Sequence, residues 1–314
     1  MKKVAFIYPG QGSQAVGMGQ DLYDNYEQVR ELFDQANEVL GYDLTNIMFN
    51  GPKENLTKTE NTQPALLLVS AALTQLLNEH GIVPAVTGGH SLGEYSALVA
   101  ANALPVTDAV ELVHQRGKLM ENAYPAGKGA MAAVLGLDKS TLQEALDHIH
   151  EETDEVIEIA NINCPGQIVV SGSQKAVDVA VDQVKEAGAK RVLPLAVSGP
   201  FHSSLMKPAA KQFSDLVQNV NWSDTRIPVY ANVTADKVTN QEQIKQLLVE
   251  QLYSPVRFEE IIEQLLDESL DAIVEVGSGK VLTGLVKKVN RRMTTFAVQD
   301  DASLQTFIEW MKED

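Results

Sequence analysis

Strand-length apolar runs alternate with helix-length amphipathic stretches from one end of this 314-residue chain to the other. Strands joined through helices of that length rejoin a sheet as parallel neighbours, so the alternation predicts an α/β protein with a largely parallel sheet. Residues 3–8, 84–88, 227–230, 272–275 and 294–298 are the candidate strands. Helices are expected at 26–40, 64–80, 107–122, 203–217, 243–252 and 259–266. There is no internal repeat and no low-complexity segment.

The stretch 129–197 has a rhythm of its own: strand 130–135, helix 139–149, strand 156–162, strand 168–171, helix 174–187, strand 189–195. That β-α-β-β-α-β order predicts a ferredoxin-like unit. Turn residues Pro125-Ala126-Gly127 and Ser198-Gly199-Pro200 flank it. The expected division is a main α/β domain of residues 1–126 and 199–314 with an inserted small domain of 127–198. A composition that is 44% hydrophobic can fill cores of that size.

Charge and cysteine content narrow the function. The 25 basic against 42 acidic side chains leave a net charge of −17, which argues against nucleic acid or an anionic membrane as the main partner. The apolar run at 4–9 is too short for a signal-peptide core, and no uninterrupted apolar run reaches membrane-spanning length. A single cysteine, Cys164, excludes an intrachain disulfide and any multi-cysteine metal site. A cytoplasmic protein without a metal is expected.

Gly89-His90-Ser91-Leu92-Gly93 fits the G-x-S-x-G nucleophile elbow, in which glycines permit a sharp turn between a strand and a helix. The context agrees, with a strand candidate at 84–88 and a small, apolar, helix-competent run at 92–101. Such an elbow makes the expected main domain α/β-hydrolase-like. Ser91 is then the candidate nucleophile, and the N–H of Leu92, free at a helix start, is placed to stabilise an oxyanion.

A serine hydroxyl needs a base within hydrogen-bond reach. Of six histidines, His80, His114, His148 and His150 fall on helices as surface or packing residues, and the i, i+2 spacing of the last two does not make a metal site. His90 abuts Ser91 and is expected to point away across the turn. His202, just after Gly199-Pro200 where the chain re-enters the main domain, is the candidate base. In the helix 107–122, Ala109, Val113, Arg116 and Met120 share one otherwise apolar face, so Arg116 points inward. A buried guanidinium needs an anion. Two readings follow: a structural carboxylate such as Glu94, or bidentate capture of a substrate carboxylate.

Taken together, the motifs resemble the malonyl-CoA:acyl carrier protein transacylases of fatty acid synthesis and, more distantly, the acyltransferase domains of polyketide synthases. The likeness runs along the whole chain: Pro9-Gly10-Gln11-Gly12-Ser13-Gln14, Thr62-Gln63-Pro64-Ala65, Gly89-His90-Ser91-Leu92-Gly93-Glu94-Tyr95, Arg116-Gly117, Gly129-Ala130-Met131-Ala132-Ala133, Asn163-Cys164-Pro165-Gly166-Gln167, His202 and Gln251-Leu252-Tyr253-Ser254-Pro255-Val256. The resemblance implies Ser91 as nucleophile and His202 as base, with Gln251 orienting the histidine where many hydrolases use an aspartate. It implies Gln11 beside the oxyanion hole with the Leu92 N–H, Arg116 on the malonyl carboxylate, and Gln63, Asn163 and Phe201 around the substrate. The bulk of Phe201 resembles the pattern of malonyl-selective members.

The implied reaction is ping-pong, from malonyl-CoA through a malonyl-serine ester to the phosphopantetheine thiol of acyl carrier protein. Coenzyme A is then substrate and product, no cofactor is needed, and a monomer is expected. The carrier protein is usually acidic, as is this chain, and Lys287, Lys288, Arg291 and Arg292 near the end of the helix 281–289 are the candidate docking patch. A solvated helix end is the plainer reading of those cations.

Rival readings are weaker. Gly10-Gln11-Gly12-Ser13-Gln14-Ala15 fits a dinucleotide fingerprint, but no second strand ending in an acid follows at the required distance. Gly277-Ser278-Gly279-Lys280-Val281 lacks the hydroxyl residue of a phosphate loop. A serine hydrolase or thioesterase would want an acid between Ser91 and His202 and no inward arginine. A trans-acting polyketide acyltransferase would share every motif, and a catalytically idle assembly module would not need them.

Overall fold

The computed structural model describes residues 2–125 and 127–313. Met1 and Asp314, the outer bounds of the expected main domain, and Ala126, at its inner boundary and in the expected turn 125–127, lie outside the described residues. Eleven strands occur in the described chain: β1 Val4–Tyr8, β2 Val86–Gly89, β3 Gly129–Leu135, β4 Ile157–Cys164, β5 Gln167–Ser173, β6 Arg191–Pro194, β7 Val229–Tyr230, β8 Lys237–Val238, β9 Val256–Arg257, β10 Ala272–Val276 and β11 Thr295–Val298.

They form a six-stranded sheet, ordered β11-β10-β1-β2-β7-β8, and a five-stranded sheet, ordered β6-β3-β5-β4-β9. The six-stranded sheet is parallel except for its β7–β8 edge, and the five-stranded one is antiparallel except where β4 meets β9. The protein is thus a mixed α/β fold. In β1 every residue is buried: Val4, Phe6 and Tyr8 enter one apolar cluster while Ala5 and Ile7 enter another on the opposite face. Covering both faces explains the unbroken apolar run, since a parallel sheet flanked by helices leaves no face wet.

A third cluster lies between the five-stranded sheet and the helices Lys139–Thr153 and Gln174–Glu186, through Val134, Leu146, Val170 and Ala180. β9, from beyond residue 198, closes that sheet beside β4. Two-residue strands such as β8 and β9 carry no periodicity, which is why the sequence does not announce them.

Among the helix boundaries that differ from expectation, two involve proline. The helix expected at 64–80 begins a turn earlier and runs Thr59–Glu79 with Pro64 inside it. Proline has no N–H to give the Glu60 carbonyl four residues back, and the His114 ring supplies the missing partner through Nδ1 at 2.8 Å. The neighbouring helix Val106–Asn122 comes close because Gly117 lacks a side chain: a Cβ there would sit 2.7 Å from the Thr59 carbonyl. The helix expected at 203–217 instead starts with the 3₁₀ turn Ser204–Met206 and becomes Lys207–Gln218, with Pro208 in its first turn, where proline is tolerated. Among the described residues no helix is long and apolar enough to cross a membrane.

Candidate active site

β2 runs into Ser91, and the helix Leu92–Ala100 starts at the next residue. Ser91 sits at φ 51° and ψ −103°, outside the allowed region for most side chains. The turn closes only because its flanks are bare: a Cβ on Gly93 would lie 2.0 Å from the Tyr8 carbonyl oxygen, and one on Gly89 2.1 Å from that of Gly93. Asn232, just past β7 and fully buried, braces the turn. Its Oδ1 accepts the Ser91 N–H at 2.7 Å, its Nδ2 donates to the Gly89 carbonyl at 2.7 Å, and its own N–H donates to Glu94 Oε2 at 3.0 Å. With the Ser91 N–H occupied, the Leu92 N–H is the nearest main-chain donor left at the turn, and Leu92 lines the cavity in front of it.

His202, also at positive φ (58°), brings Nε2 to 2.8 Å from Ser91 Oγ. Its Nδ1 lies 2.7 Å from the main-chain carbonyl of Gln251. A carbonyl only accepts, so the ring proton sits on Nδ1 and the lone pair on Nε2 faces the serine. Burial, then the Arg116 charge, pull the His202 pKa down to about 3, so the imidazole is neutral at physiological pH. The Gln251 side chain has a different task from its carbonyl: Oε1 accepts from Arg116 at 2.8 Å, while Nε2 donates to Glu94 at 2.7 Å and to the Ser91 carbonyl at 3.1 Å.

Arg116 is 1% exposed, and its guanidinium lies over the Tyr95 ring. Nη1 donates to Gln63 Oε1 at 2.9 Å, and Nη2 donates to Gln251 Oε1 and, at 3.1 Å, to Ser91 Oγ. Among the described residues no carboxylate forms an ion pair with it. Glu94, the structural alternative, reaches Arg116 only through the Gln251 amide. Burial pushes the Glu94 carboxyl up to about 7 despite hydrogen bonds and the arginine, so it does not act as a firm counter-ion at neutral pH. The cation is partnered by neutral oxygens and lacks the anion that burial of a charge calls for.

These groups line one cavity of about 200 Å³ between the two sheets. Gln11, Gln63, Ser91, Leu92, Arg116, Asn163, Phe201 and His202 all face it, whereas Gln251 lies behind it. Gln11 Nε2 reaches Thr59 at 3.4 Å, and Asn163 Oδ1 meets His90 Nε2 at 2.8 Å, so His90 is turned to the five-stranded sheet and not to Ser91. Lys287, Lys288, Arg291 and Arg292 are exposed at the far end of the helix Val281–Val289, whose first turn, Val281 and Leu282, forms the cavity rim. None of the four meets an acidic partner among the described residues; Lys288 instead donates to Gln167 at 2.7 Å. Among the described residues no group of three His, Cys, Asp or Glu side chains is placed to hold a metal ion.

Asn232 is the residue that sequence reasoning missed. The available signal was a polar side chain just beyond the carboxyl end of a parallel strand, the edge where such sheets build their sites.

A strand-elbow-helix turn carrying a serine bonded to a neutral histidine, beside a buried unpaired arginine, defines a serine-centred α/β protein shaped for an anionic ligand. More particularly, the chain belongs to the acyl transferase domain family, which it matches over residues 5–314. It is 51% identical over 314 residues to the malonyl CoA-acyl carrier protein transacylase of Bacillus subtilis, covering 100% of this chain and 99% of that protein. The crystal structure of an acyl carrier protein S-malonyltransferase from Vibrio cholerae superposes with a TM-score of 0.94 at 45% identity, covering 97% of this chain and 99% of the other. A malonyl-transacylase solved in complex with its type II PKS acyl-carrier protein gives a TM-score of 0.95 at 42% identity, covering 98% and 99%.

Proposed function

We propose that this chain is a malonyl-CoA:acyl carrier protein S-malonyltransferase of fatty acid synthesis, working through a malonyl ester on Ser91. The observation that carries the reading is one cluster of distances. Ser91 Oγ lies 2.8 Å from the lone-pair nitrogen of His202 and 3.1 Å from a buried guanidinium that has no ion-paired carboxylate among the described residues. A hydrolase of neutral esters has no use for that cation.

Ser91 Oγ attacks the thioester carbonyl as its proton passes to His202 Nε2. The Leu92 N–H, with Gln11 beside it, receives the oxyanion, and the imidazolium returns the proton to the departing coenzyme A thiolate. The carrier thiol then attacks the ester by the same steps in reverse. The Gln251 carbonyl keeps His202 in its tautomer, Arg116 and Gln63 hold the malonyl carboxylate, and Asn163 and Phe201 bound the acyl group. The reaction so written uses coenzyme A as substrate and product and consumes no cofactor. Fatty acid synthesis makes this a cytoplasmic enzyme.

Residues 127–198 are read as an inserted ferredoxin-like domain against an α/β-hydrolase-like main domain of 1–126 and 199–314. The strand order β6-β3-β5-β4 within that segment supports the division. Docking of the acidic carrier protein is assigned to Lys287, Lys288, Arg291 and Arg292, because four exposed cations without an acidic partner among the described residues stand at and just beyond the end of the helix that rims the cavity.

Intact-protein mass spectrometry after brief mixing with malonyl-CoA tests the reading. A malonyl-sized adduct is expected on the wild type and not on Ser91→Ala; no adduct from malonyl-CoA would return the chain to the hydrolases.

A further inference from the structure

Arg116 makes two contacts that cannot both continue once a carboxylate arrives. Its Nη2 has two hydrogens and two acceptors, Gln251 Oε1 and Ser91 Oγ, while Nη1 has one acceptor, Gln63 Oε1, and one hydrogen to spare. Nε is fully buried and faces no solvent. A carboxylate gripped by both Nη groups therefore takes the spare hydrogen of Nη1 and one of the two on Nη2. Gln251 Oε1 is the acceptor that stays. Its amide is fixed from the other side by Glu94 at 2.7 Å and the Ser91 carbonyl at 3.1 Å, whereas the Ser91 hydroxyl turns about a single bond. The contact given up is the one to the nucleophile.

We infer that Arg116 is an acyl-sensing switch on Ser91: the donor's own carboxylate lifts the guanidinium off Oγ, and a small free carboxylate does the same for an acyl group that has none. Here Oγ donates to His202 and receives a charged hydrogen bond on one of its two lone pairs, which draws electron density from the atom that must attack. Capture of Arg116 removes that hydrogen bond, and it also neutralises the positive charge that adds to burial in holding His202 below its ordinary basicity. Selection of malonyl then shows in the rate of the chemical step as well as in binding. The inference rests on the malonyl reading above.

Formate is the probe, because it supplies the carboxylate and leaves room in a cavity of about 200 Å³ for an acetyl group. Acetyl-CoA is mixed briefly with the enzyme in sodium formate or in sodium chloride of equal ionic strength, and Ser91 acylation is timed by intact mass. The step is the ordinary transfer: an Oγ–C bond forms, the C–S bond breaks, the serine proton leaves on the coenzyme A thiol, and formate is unchanged. A saturable rise in acetylation of about tenfold, corresponding to about 1.4 kcal/mol in the barrier, is expected. Malonylation from malonyl-CoA is expected to be inhibited by the same formate, which competes for Arg116. Arg116→Ala is expected to acetylate at a rate indifferent to formate. Formate that slows both reactions, touches neither, or accelerates Arg116→Ala equally overturns the switch. The two wild-type arms decide even if that variant does not fold. Failure of malonyl-CoA itself to label Ser91 is a separate result and counts against the function, not the switch.

Discussion

Replacing Asn232 by Ala tests whether the elbow is braced for chemistry or merely packed. The change removes both 2.7 Å side-chain bonds, to the Ser91 N–H and to the Gly89 carbonyl, and leaves those main-chain groups unpartnered inside the protein. Two such bonds are together worth about 1–3 kcal/mol of folding stability, and more where the orphaned group stays dry. Relief acts in the opposite sense, because a residue held as Ser91 is, at φ 51° and ψ −103°, stores about 1–3 kcal/mol of backbone strain. The turn can therefore relax at little net cost, and that relaxation is what harms function. It swings the Leu92 N–H away from the developing oxyanion, and losing one such donor lowers the rate about 10²- to 10³-fold.

Arg116 and Gln63, the proposed holders of the carboxylate, are untouched, so the KM for malonyl-CoA should hardly move while kcat falls. Urea unfolding and the burst of malonyl-enzyme, followed together by circular dichroism and intact mass, measure the two effects. A variant that loses stability yet acylates within about threefold of the wild type would refute the brace, since a lost oxyanion donor cannot be that mild.

Four further outcomes follow from the same structure. With the His202 pKa pulled down to about 3 by burial and then by Arg116, kcat/KM for malonylation should show no histidine break near the ordinary 6.5 as pH falls from about 7 to about 5; a break there that persists in Glu94→Gln, which removes the carboxyl raised to about 7, would refute the neutral-base assignment. The depressed histidine contributes stability present above 6.5 and lost as pH falls towards 3. The raised Glu94 contributes stability present below its ordinary 4.5 and lost as pH rises through about 7, so chemical denaturation midpoints at pH 5 and 9 should reveal the two in Glu94→Gln and wild type. Charge reversal at Lys288 and Arg291 should raise the carrier-protein KM severalfold without altering malonyl-CoA labelling of Ser91; an unchanged KM excludes that patch as the dock. Gly93→Ala should abolish labelling, because the new Cβ would stand 2.0 Å from the Tyr8 oxygen; an active variant would show that the elbow tolerates a wider turn than the structure has.

The sequence made legible what local pattern controls. Helical spacing alone turned Arg116 inward, and the glycines of the elbow carried Ser91, because both depend on a few neighbouring residues. Pro64 misled for the same reason: proline is expected at a helix start, and nothing nearby in the chain reveals that His114, fifty residues on, takes over the carbonyl it leaves bare. Strands of two residues, β8 and β9, are made by their neighbours and have no pattern to read.

The polar network around Ser91 lies beyond such reading in principle. Glu94, Arg116, Asn232 and Gln251 come from four separate segments, and each hydrogen bond between them depends on the others for its direction. Gln251 shows how far residue type can misdirect. A glutamine behind a catalytic histidine invites the thought that its side chain does an aspartate's work. Here the backbone carbonyl accepts the hydrogen bond from the ring Nδ1–H, which frees the amide to join Glu94 to Arg116. A neutral carbonyl stabilises an imidazolium less than a carboxylate would, and a second carboxylate there would also compete for Arg116. Leaving the position uncharged thus keeps the guanidinium free of a protein carboxylate at this point, as the proposed capture of a substrate carboxylate requires.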